Sequence, residues 1–147
     1  MISELSQESR EPVFRYTFTI PPGSIDENGH VNNVHYVQWM QDIAVRHFDS
    51  LGGIPLIREI GATWVVRSHT IEYLSPAFAG QEIEARTWVV NLHRVRSLRR
   101  YAFVRKSDDR LIVKGETEWV LVDVNTGRPV AIPESIGKIF PLLPNEK

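Results

Sequence analysis

The sequence contains no cysteine, and this absence removes three kinds of chemistry at once. Without thiols there is no disulfide framework, no cysteine-ligated metal and no cysteine nucleophile. The absence also fits the reducing cytoplasm, where disulfides rarely persist. The first twelve residues are polar and lack the apolar stretch of a signal peptide. We therefore expect a cytoplasmic protein.

The sequence also has little net charge and no long apolar run. Its 147 residues carry a net charge of −1, so no overall field favours nucleic acid or an anionic membrane as a partner. No apolar run approaches the roughly 18 residues that a membrane-spanning helix needs. The length suits one domain that buries its own core. We predict a flexible N-terminus over residues 1–12 and a single domain over residues 13–147.

Several catalytic motifs are missing as well. The chain has no G-x-S-x-G elbow, no G-x-x-x-x-G-K-[ST] loop and no strand-linked G-x-G-x-x-G. His30 and His35 lie five residues apart without an H-E-x-x-H motif, so we expect no metal site. Serine hydrolases, nucleotide motors and dinucleotide-dependent enzymes are disfavoured.

Apolar periodicity predicts one long helix. Apolar residues recur at helical spacing from Val34 to Leu51. Asn32 or Asn33 suits the N-cap, and Gly52 with its glycine neighbour supplies the stop. A helix of about 18 residues spans about 27 Å.

The remainder of the sequence predicts strands, with one short helical stretch near residues 133–140. Val, Ile, Thr and aromatic residues are frequent between turn signals, which is typical of strands. The predicted strands cover residues 13–20, 62–74, 82–92, 98–106 and 111–124. Short links favour antiparallel pairing. The order predicts an α+β fold, with a curved antiparallel sheet of about five strands around one long central helix.

The segment IDENGHVNNVHYVQW, residues 25–39, holds more polar residues than a turn before a helix requires. Backbone N–H groups at a helix N-terminus stabilise a carbonyl oxygen or an oxyanion. Asp26 lies just upstream, where a carboxylate can act as a general base or a nucleophile. Asn28 can orient water, and His30 can donate a hydrogen bond or shuttle a proton. The alternative is a turn that only caps the helix.

The pattern D-x-N-G-H-V-N-N-V-x-Y at Asp26–Tyr36 resembles the hotdog-fold acyl thioesterases of the 4-hydroxybenzoyl-CoA thioesterase-like family. It is also similar to the acyl-ACP thioesterases of plants and bacteria. The segment VVRSHTIEYLSPAFAGQEIEA, Val65–Ala85, resembles the second-strand segment of that family. The resemblance covers about Phe14 to Val124, and it implies a hotdog fold and the hydrolysis of an acyl thioester.

The resemblance implies a role for each matching residue. Asp26 is the catalytic carboxylate, the N–H that polarises the carbonyl lies near Asn33, and Asn28 and His30 support them. The acyl-ACP branch has a further Glu after its E-Y pair, where this chain continues L-S-P. Another subgroup has a Glu on the helix, where this chain has Gln41 and its neighbouring Asp. Asp26 is therefore expected to act without a second carboxylate.

A basic hairpin, LHRVRSLRRYAFVRK at residues 92–106, is the second candidate site. No acid lies between Glu84 and Asp108, and the hairpin itself carries six basic residues: Arg94, Arg96, Arg99, Arg100, Arg105 and Lys106. Arg and Lys suit phosphate groups, although a solvated strand face is the plain alternative. The resemblance implies that Arg94 and Arg96 bind the nucleotide phosphates of CoA, and Ser97 beside them is a further candidate for substrate binding. The same patch suits an acidic acyl carrier protein.

Together these observations predict a hydrolase of acyl-CoA or acyl-ACP, as used in fatty acid metabolism. CoA or phosphopantetheine is then part of the substrate, and no separate cofactor is expected. Tyr36, Met40 and Trp64 are expected to line the acyl pocket with a neighbouring subunit, in a homodimer or a homotetramer built as a dimer of dimers. Two alternatives stay open: a non-catalytic acyl-CoA or acyl-ACP binding module, and a nucleic-acid binder that uses the basic hairpin.

Overall fold

The computed structural model describes residues 11–144 as five strands, three α-helices and a single 3₁₀ turn. In chain order the elements are β1 (Phe14–Thr19), the 3₁₀ turn (Pro22–Ser24), α1 (Asn33–Ser50), α2 (Gly53–Glu59), β2 (Ala62–Tyr73), β3 (Glu82–His93), β4 (Arg96–Arg105), β5 (Arg110–Asp123) and α3 (Glu134–Gly137). Most of the N-terminal segment predicted to be flexible lies outside the described residues, which begin at residue 11.

The strands form one sheet in the order β1-β3-β4-β5-β2, and every neighbouring pair is antiparallel. This confirms the predicted α+β fold with five strands and one long helix. The short β1 and the twelve-residue β2 are the two edges of the sheet. Side chains alternate along β4, so Ser97, Arg99 and Tyr101 are buried while their neighbours are partly exposed.

Helix α1 begins and ends where the sequence predicts. The side-chain oxygen of Asn32 accepts a hydrogen bond from the N–H of Val34 at 3.1 Å, which is an N-cap. Gly52 has a φ of +80°, the left-handed conformation that ends many helices. The buried face of the helix presents Tyr36, Met40, Ile43, Ala44, His47 and Phe48.

Helix α2 was not expected from the sequence, which indicated only a stop at this place. Seven residues are too few for a clear helical period, and Pro55 is tolerated because it lies in the first turn. A side chain at Gly53 would overlap the ring of Phe48, so glycine permits the close corner between α1 and α2. The expectation that only residues 133–140 would form a further helix was wrong.

The core divides into two clusters along α1. The first surrounds Tyr36 and Met40 with residues of the sheet such as Phe103. The second surrounds Phe48 and includes Ile57 of α2 and Phe140 after α3. Within residues 11–144 no helix is both long enough and apolar enough to cross a membrane.

Candidate active site

The loop before α1 holds Asp26 in a tight, self-bonded turn. The N–H of Asp26 donates to the carbonyl of His30 at 3.0 Å, and the N–H of Gly29 donates to the carbonyl of Asp26 at 3.1 Å. Gly29 has a φ of +86°, which favours glycine over other residues. The carboxylate oxygen Oδ1 of Asp26 accepts the N–H of Asn28 at 2.9 Å. One oxygen is thus oriented by the backbone, and no donor within residues 11–144 contacts the other.

The start of α1 is fixed to the same loop. The N–H of Asn32 donates to the carbonyl of Ser24 at 2.8 Å, and the N–H of Val31 donates to the carbonyl of Ala77 at 2.9 Å. The side chain and carbonyl of Asn32 occupy the N–H groups of Val34 and His35. The N–H of Asn33 has no acceptor among residues 11–144. The structure therefore places the carboxylate of Asp26 and an open helical N–H in adjoining turns.

The two supporting residues differ in exposure. Asn28 is exposed, and its backbone rather than its side chain binds Asp26. His30 is half-buried, and its ring lies edge-on to Phe78 with centroids 6.3 Å apart. Both residues thus belong to the loop that carries Asp26, and their side chains differ in exposure.

Tyr36, one turn into α1, brings a buried hydroxyl to this end of the helix. Among the buried side-chain polar atoms of residues 11–144, its Oη is the one without a hydrogen-bond partner. Burial, and secondarily the neighbouring Tyr73, raises the pKa of Tyr36 to about 12, so the hydroxyl stays protonated at neutral pH. The hydroxyl of Tyr73 lies 3.5 Å from the carbonyl of Asn33, which places the end of β2 beside the start of α1. Met40, a turn further along, is fully buried against Gly115.

Trp64 and Ser97 lie away from the loop of Asp26, on strands that pack beside the C-terminal half of α1. They line a pocket of about 140 Å³ together with Phe48, Ile57, Arg99 and Phe140. Fifteen residues of α1 separate Asn33 from Phe48, a distance of about 22 Å along the helix axis. The structure therefore divides the predicted site residues into two groups at the two ends of α1.

The three candidate residues of the basic hairpin, Arg94, Arg96 and Ser97, have different surroundings. Arg94 lies in the turn between β3 and β4 with a φ of 58°, and its carbonyl accepts the N–H of Ile132 at 2.8 Å. Arg96 lies on the outer face of the sheet and donates to Glu118 at 3.2 Å. Ser97 lies on the inner face, in the pocket with Trp64. Arg94 and Arg96 are thus the two that solvent reaches.

Carboxylates from other parts of the chain offset much of the positive charge of the hairpin. Ion pairs join Arg100 to Glu116 at 3.1 Å and Arg105 to Asp108 at 2.9 Å. Glu116 belongs to the neighbouring strand β5, so the sequence of the hairpin alone does not reveal this pairing. The outer face of the sheet is therefore mixed in charge, as the alternative of a solvated strand face predicts.

Arg99 is not part of that surface, although the sequence grouped it with the other basic residues. Its Nη1 bonds to Nδ1 of His47 at 2.9 Å and donates to the hydroxyl of Thr87 at 3.1 Å. Burial lowers the pKa of Arg99 to about 10, so it remains charged at neutral pH. Burial, together with the charge of Arg99, lowers the pKa of His47 to about 3, so this imidazole is neutral and accepts the bond. The alternation of β4 puts Arg99 on the same face as Ser97 and Tyr101, but the sequence of the strand does not show that this face is the inner one.

Comparison with known proteins identifies the superfamily to which the chain belongs. The family model of the thioesterase-like superfamily matches residues 20–140, and the chain belongs to that superfamily. None of the curated protein sequences that were compared matches significantly. Within the described residues, no group of three or more metal-ligating side chains comes together.

Solved structures share the fold. A 1,4-dihydroxy-2-naphthoyl-CoA thioesterase from Synechocystis superposes with a TM-score of 0.78 at 15% identity, covering 86% of this chain and 94% of that one. A Staphylococcus aureus protein solved in complex with CoA gives 0.80 at 21% identity, covering 86% and 80%. An acyl-ACP thioesterase from Bacteroides thetaiotaomicron gives 0.80 at 26% identity, covering 96% of this chain and 58% of the longer protein. The expected hotdog fold is confirmed.

Proposed function

We propose that the protein hydrolyses an acyl thioester, either acyl-CoA or acyl-ACP, to a free acid and a thiol. Membership of the thioesterase-like superfamily supports thioester hydrolysis in general. The observation that carries the proposal is the carboxylate of Asp26, which accepts the N–H of Asn28 in the loop that leads into α1. The first N–H of that helix, on Asn33, has no acceptor among residues 11–144. This pairing supplies a base or nucleophile and an oxygen-binding N–H.

The proposed reaction uses these two groups in sequence. The carbonyl oxygen of the thioester accepts the N–H of Asn33, where the positive end of the α1 dipole stabilises the developing negative charge. Asp26 takes a proton from water, whose oxygen attacks the carbonyl carbon. The carbon–sulfur bond then breaks, and the thiolate leaves with the proton that Asp26 held. If Asp26 attacks the carbonyl carbon instead, the carbon–sulfur bond breaks, the thiolate leaves and an anhydride forms. Water then opens the anhydride to the free acid and the carboxylate of Asp26, and the proton it releases goes to the thiolate.

The remaining predicted residues are proposed to bind the substrate. Arg94 and Arg96 bind phosphates of CoA or acidic groups of an acyl carrier protein, while Asn28 and His30 orient water and Asp26. Tyr36, Met40, Trp64 and Ser97 surround the acyl group. The Staphylococcus aureus structure with bound CoA supports CoA as one carrier.

The separation of the two groups supports a homodimer as the working unit. Within one chain, Asp26 and Trp64 lie at opposite ends of α1. One substrate contacts both more readily if Asp26 comes from one chain and Trp64 from its partner. The edge strand β2 offers a means of pairing, since Val65 is 42% exposed and Tyr73 is 44% exposed on it. A two-fold axis at the middle of β2 would pair Trp64 with Ile71 of the partner. The pocket of one chain then faces the start of α1 in the other, and two such dimers form the proposed tetramer.

A panel of acyl-CoA, acyl-ACP and acyl-pantetheine thioesters tests the function. The Asp26→Asn variant keeps the shape of the side chain but loses its charge, so we expect kcat to fall by about 10²-fold or more. The control is Asp42→Asn, because Asp42 is an exposed acid on α1 that accepts a hydrogen bond from Gln38 at 2.9 Å. Binding of acyl-CoA without hydrolysis of any thioester would favour the non-catalytic binding module. Near-parent rates for Asp26→Asn would reject the catalytic role of Asp26.

A further inference from the structure

Arg99 is a buried cation without an acidic partner. The residue is 4% exposed, and none of the ion pairs formed within residues 11–144 includes it. Its hydrogen bonds go to the neutral groups His47 and Thr87. A buried charge is costly unless it is paired, and buried arginines in proteins usually face a carboxylate or a phosphate. Residues 11–144 supply no such counter-ion to Arg99.

The guanidinium has donors to spare, and it faces a pocket. An arginine side chain carries five N–H donors. Both hydrogen bonds of Arg99 leave from Nη1, so Nε and Nη2 are not engaged by either partner. The same residue lines the 140 Å³ pocket beside Ser97 and Thr63. The pocket thus presents a charged donor and two hydroxyl-bearing residues in an otherwise apolar wall.

The rest of the wall is apolar and largely aromatic. Phe48, Trp64, Trp119 and Phe140 contribute rings, and Ile57 contributes an aliphatic side chain. A cavity of roughly 150 Å³ with an apolar lining holds one benzene ring in another protein. The volume and lining therefore suit a body of one aromatic ring, or of a few methylene groups.

From these observations we infer that the pocket binds a carboxylate on a small apolar body, with the carboxylate on Arg99 and the body among the aromatic side chains. A planar carboxylate matches the fork of a guanidinium. A dianionic phosphate fits less well, because the pocket offers one cation and few other donors. The ligand class is thus a monocyclic aromatic or short-chain carboxylate.

This inference deepens the proposed function, because Trp64 and Ser97 of the same pocket are proposed to surround the acyl group, but it concerns binding and does not depend on Asp26. Two sources supply the same chemistry. One is the distal carboxylate of an acyl group, which would make the substrate a half-thioester of a dicarboxylic acid. The other is a free acid, bound as a product or as an effector.

Titration with benzoate tests the inference directly. Trp64 and Trp119 line the pocket, so their fluorescence reports on its occupancy. We expect saturable binding of benzoate and at least tenfold weaker binding of benzamide, which has the same shape without the charge. Equal binding of the two, or no binding of benzoate, would overturn the inference.

Two variants locate the binding. Arg99→Met removes the charge and keeps much of the length, and it should weaken benzoate binding at least tenfold. Val45→Trp covers the pocket from its rim, where Val45 is 53% exposed, and should do the same with Arg99 intact. Val34→Trp is the matched control, since Val34 is 65% exposed on the same helix and lies outside the pocket. If Arg99→Met does not fold, Val45→Trp decides, and unchanged benzoate binding in either folded variant rejects the inference.

Thioesters separate the two sources. If the acyl group supplies the carboxylate, glutaryl-CoA should be hydrolysed with at least tenfold higher kcat/KM than pentanoyl-CoA, and Arg99→Met should remove that preference. If a free acid is the ligand, Arg99→Met leaves the preference among thioesters unchanged while benzoate binding is lost. A protein that hydrolyses no thioester but binds benzoate through Arg99 would refute the proposed function and uphold this inference.

Discussion

The two ends of α1 carry two polar regions built in opposite ways. At the N-terminal end, Asp26 and the residues up to Asn33 form one continuous segment. Most of its hydrogen bonds join groups that are close in sequence, with Ala77 and Tyr73 as the distant partners. Nearer the C-terminal end, Arg99 of β4 meets His47 of α1 and Thr87 of β3. The first region is local and reached by solvent. The second is assembled from three distant elements and closed to solvent.

This difference decides what a substitution in each region changes. Charges that water reaches are screened, so replacing them alters reactivity with little effect on stability. Charges inside the core are weakly screened, and removing a partner there leaves another group unsatisfied. The N-terminal region should therefore respond in rate, and the buried region in stability, pH dependence and ligand affinity.

The largest effect is expected on thioesterase activity in mixed dimers, because the proposed site takes Asp26 from one chain and the pocket from the other. In an exchanged mixture of Asp26→Asn and Val45→Trp, a two-fold heterodimer has one site with both lesions and one site with neither. Since half of the dimers are heterodimers, activity should recover to about a quarter of the parent value, from near zero for each variant alone. The measurement is thioesterase activity after subunit exchange.

Each variant taken separately through the same exchange is the control. Mass spectrometry of the intact assembly shows whether heterodimers have formed. Heterodimers without recovered activity would mean that Asp26 and the pocket do not serve one substrate across the dimer.

The same contrast explains how much the sequence predicted. The loop with Asp26, the N-cap at Asn32 and the end of α1 follow from neighbouring residues, so they were predicted and found. Whether Arg99 is buried depends on which face of β4 packs against α1, and the pairing of all five strands decides that face. The pairing of Arg96 with Glu118 across β4 and β5 has the same origin. Helix α2 was missed because it is short.

The next largest effect concerns His47 and pH. The pKa of His47 is about 3 in the folded chain and 6.5 when unperturbed. Between these pH values His47 is therefore protonated in the unfolded state and neutral in the folded state. The free energy of unfolding should therefore fall as the pH drops from about 6 to 4, with His47 contributing about 1.4 kcal/mol per pH unit. Chemical denaturation at several pH values measures the slope.

His47→Gln removes this titration and keeps an acceptor for Arg99, so the pH slope should become shallower by that amount. The matched control is His93→Gln, which makes the same chemical change at an exposed position outside the core. An identical slope in the parent and in His47→Gln would show that His47 is protonated in the folded protein.

A smaller effect is expected on the outer surface. If Arg94 and Arg96 bind phosphates of CoA, changing both to Ala should raise KM for acyl-CoA by about tenfold, the loss of about 1.4 kcal/mol of charge-assisted bonding. An acyl-pantetheine thioester lacks the nucleotide and should be unaffected. Arg67→Ala is the control, because Arg67 also pairs with Glu118, at 3.7 Å. Equal losses on both thioesters would assign the arginines a structural role.

The smallest effect concerns Tyr36, which is buried like Arg99 but lies in the N-terminal half of α1. Its hydroxyl has no hydrogen-bond partner among residues 11–144, so Tyr36→Phe should leave stability unchanged or raise it by up to about 1 kcal/mol. If the hydroxyl donates to a bound substrate, kcat/KM should fall about fivefold, the scale of one neutral hydrogen bond. Tyr73→Phe is the control, since that hydroxyl reaches the carbonyl of Asn33 only at 3.5 Å. Rate and melting temperature, measured together on Tyr36→Phe, decide whether the hydroxyl donates to a bound substrate. A stabilised variant with parent kcat/KM would show that the Tyr36 hydroxyl contacts no substrate.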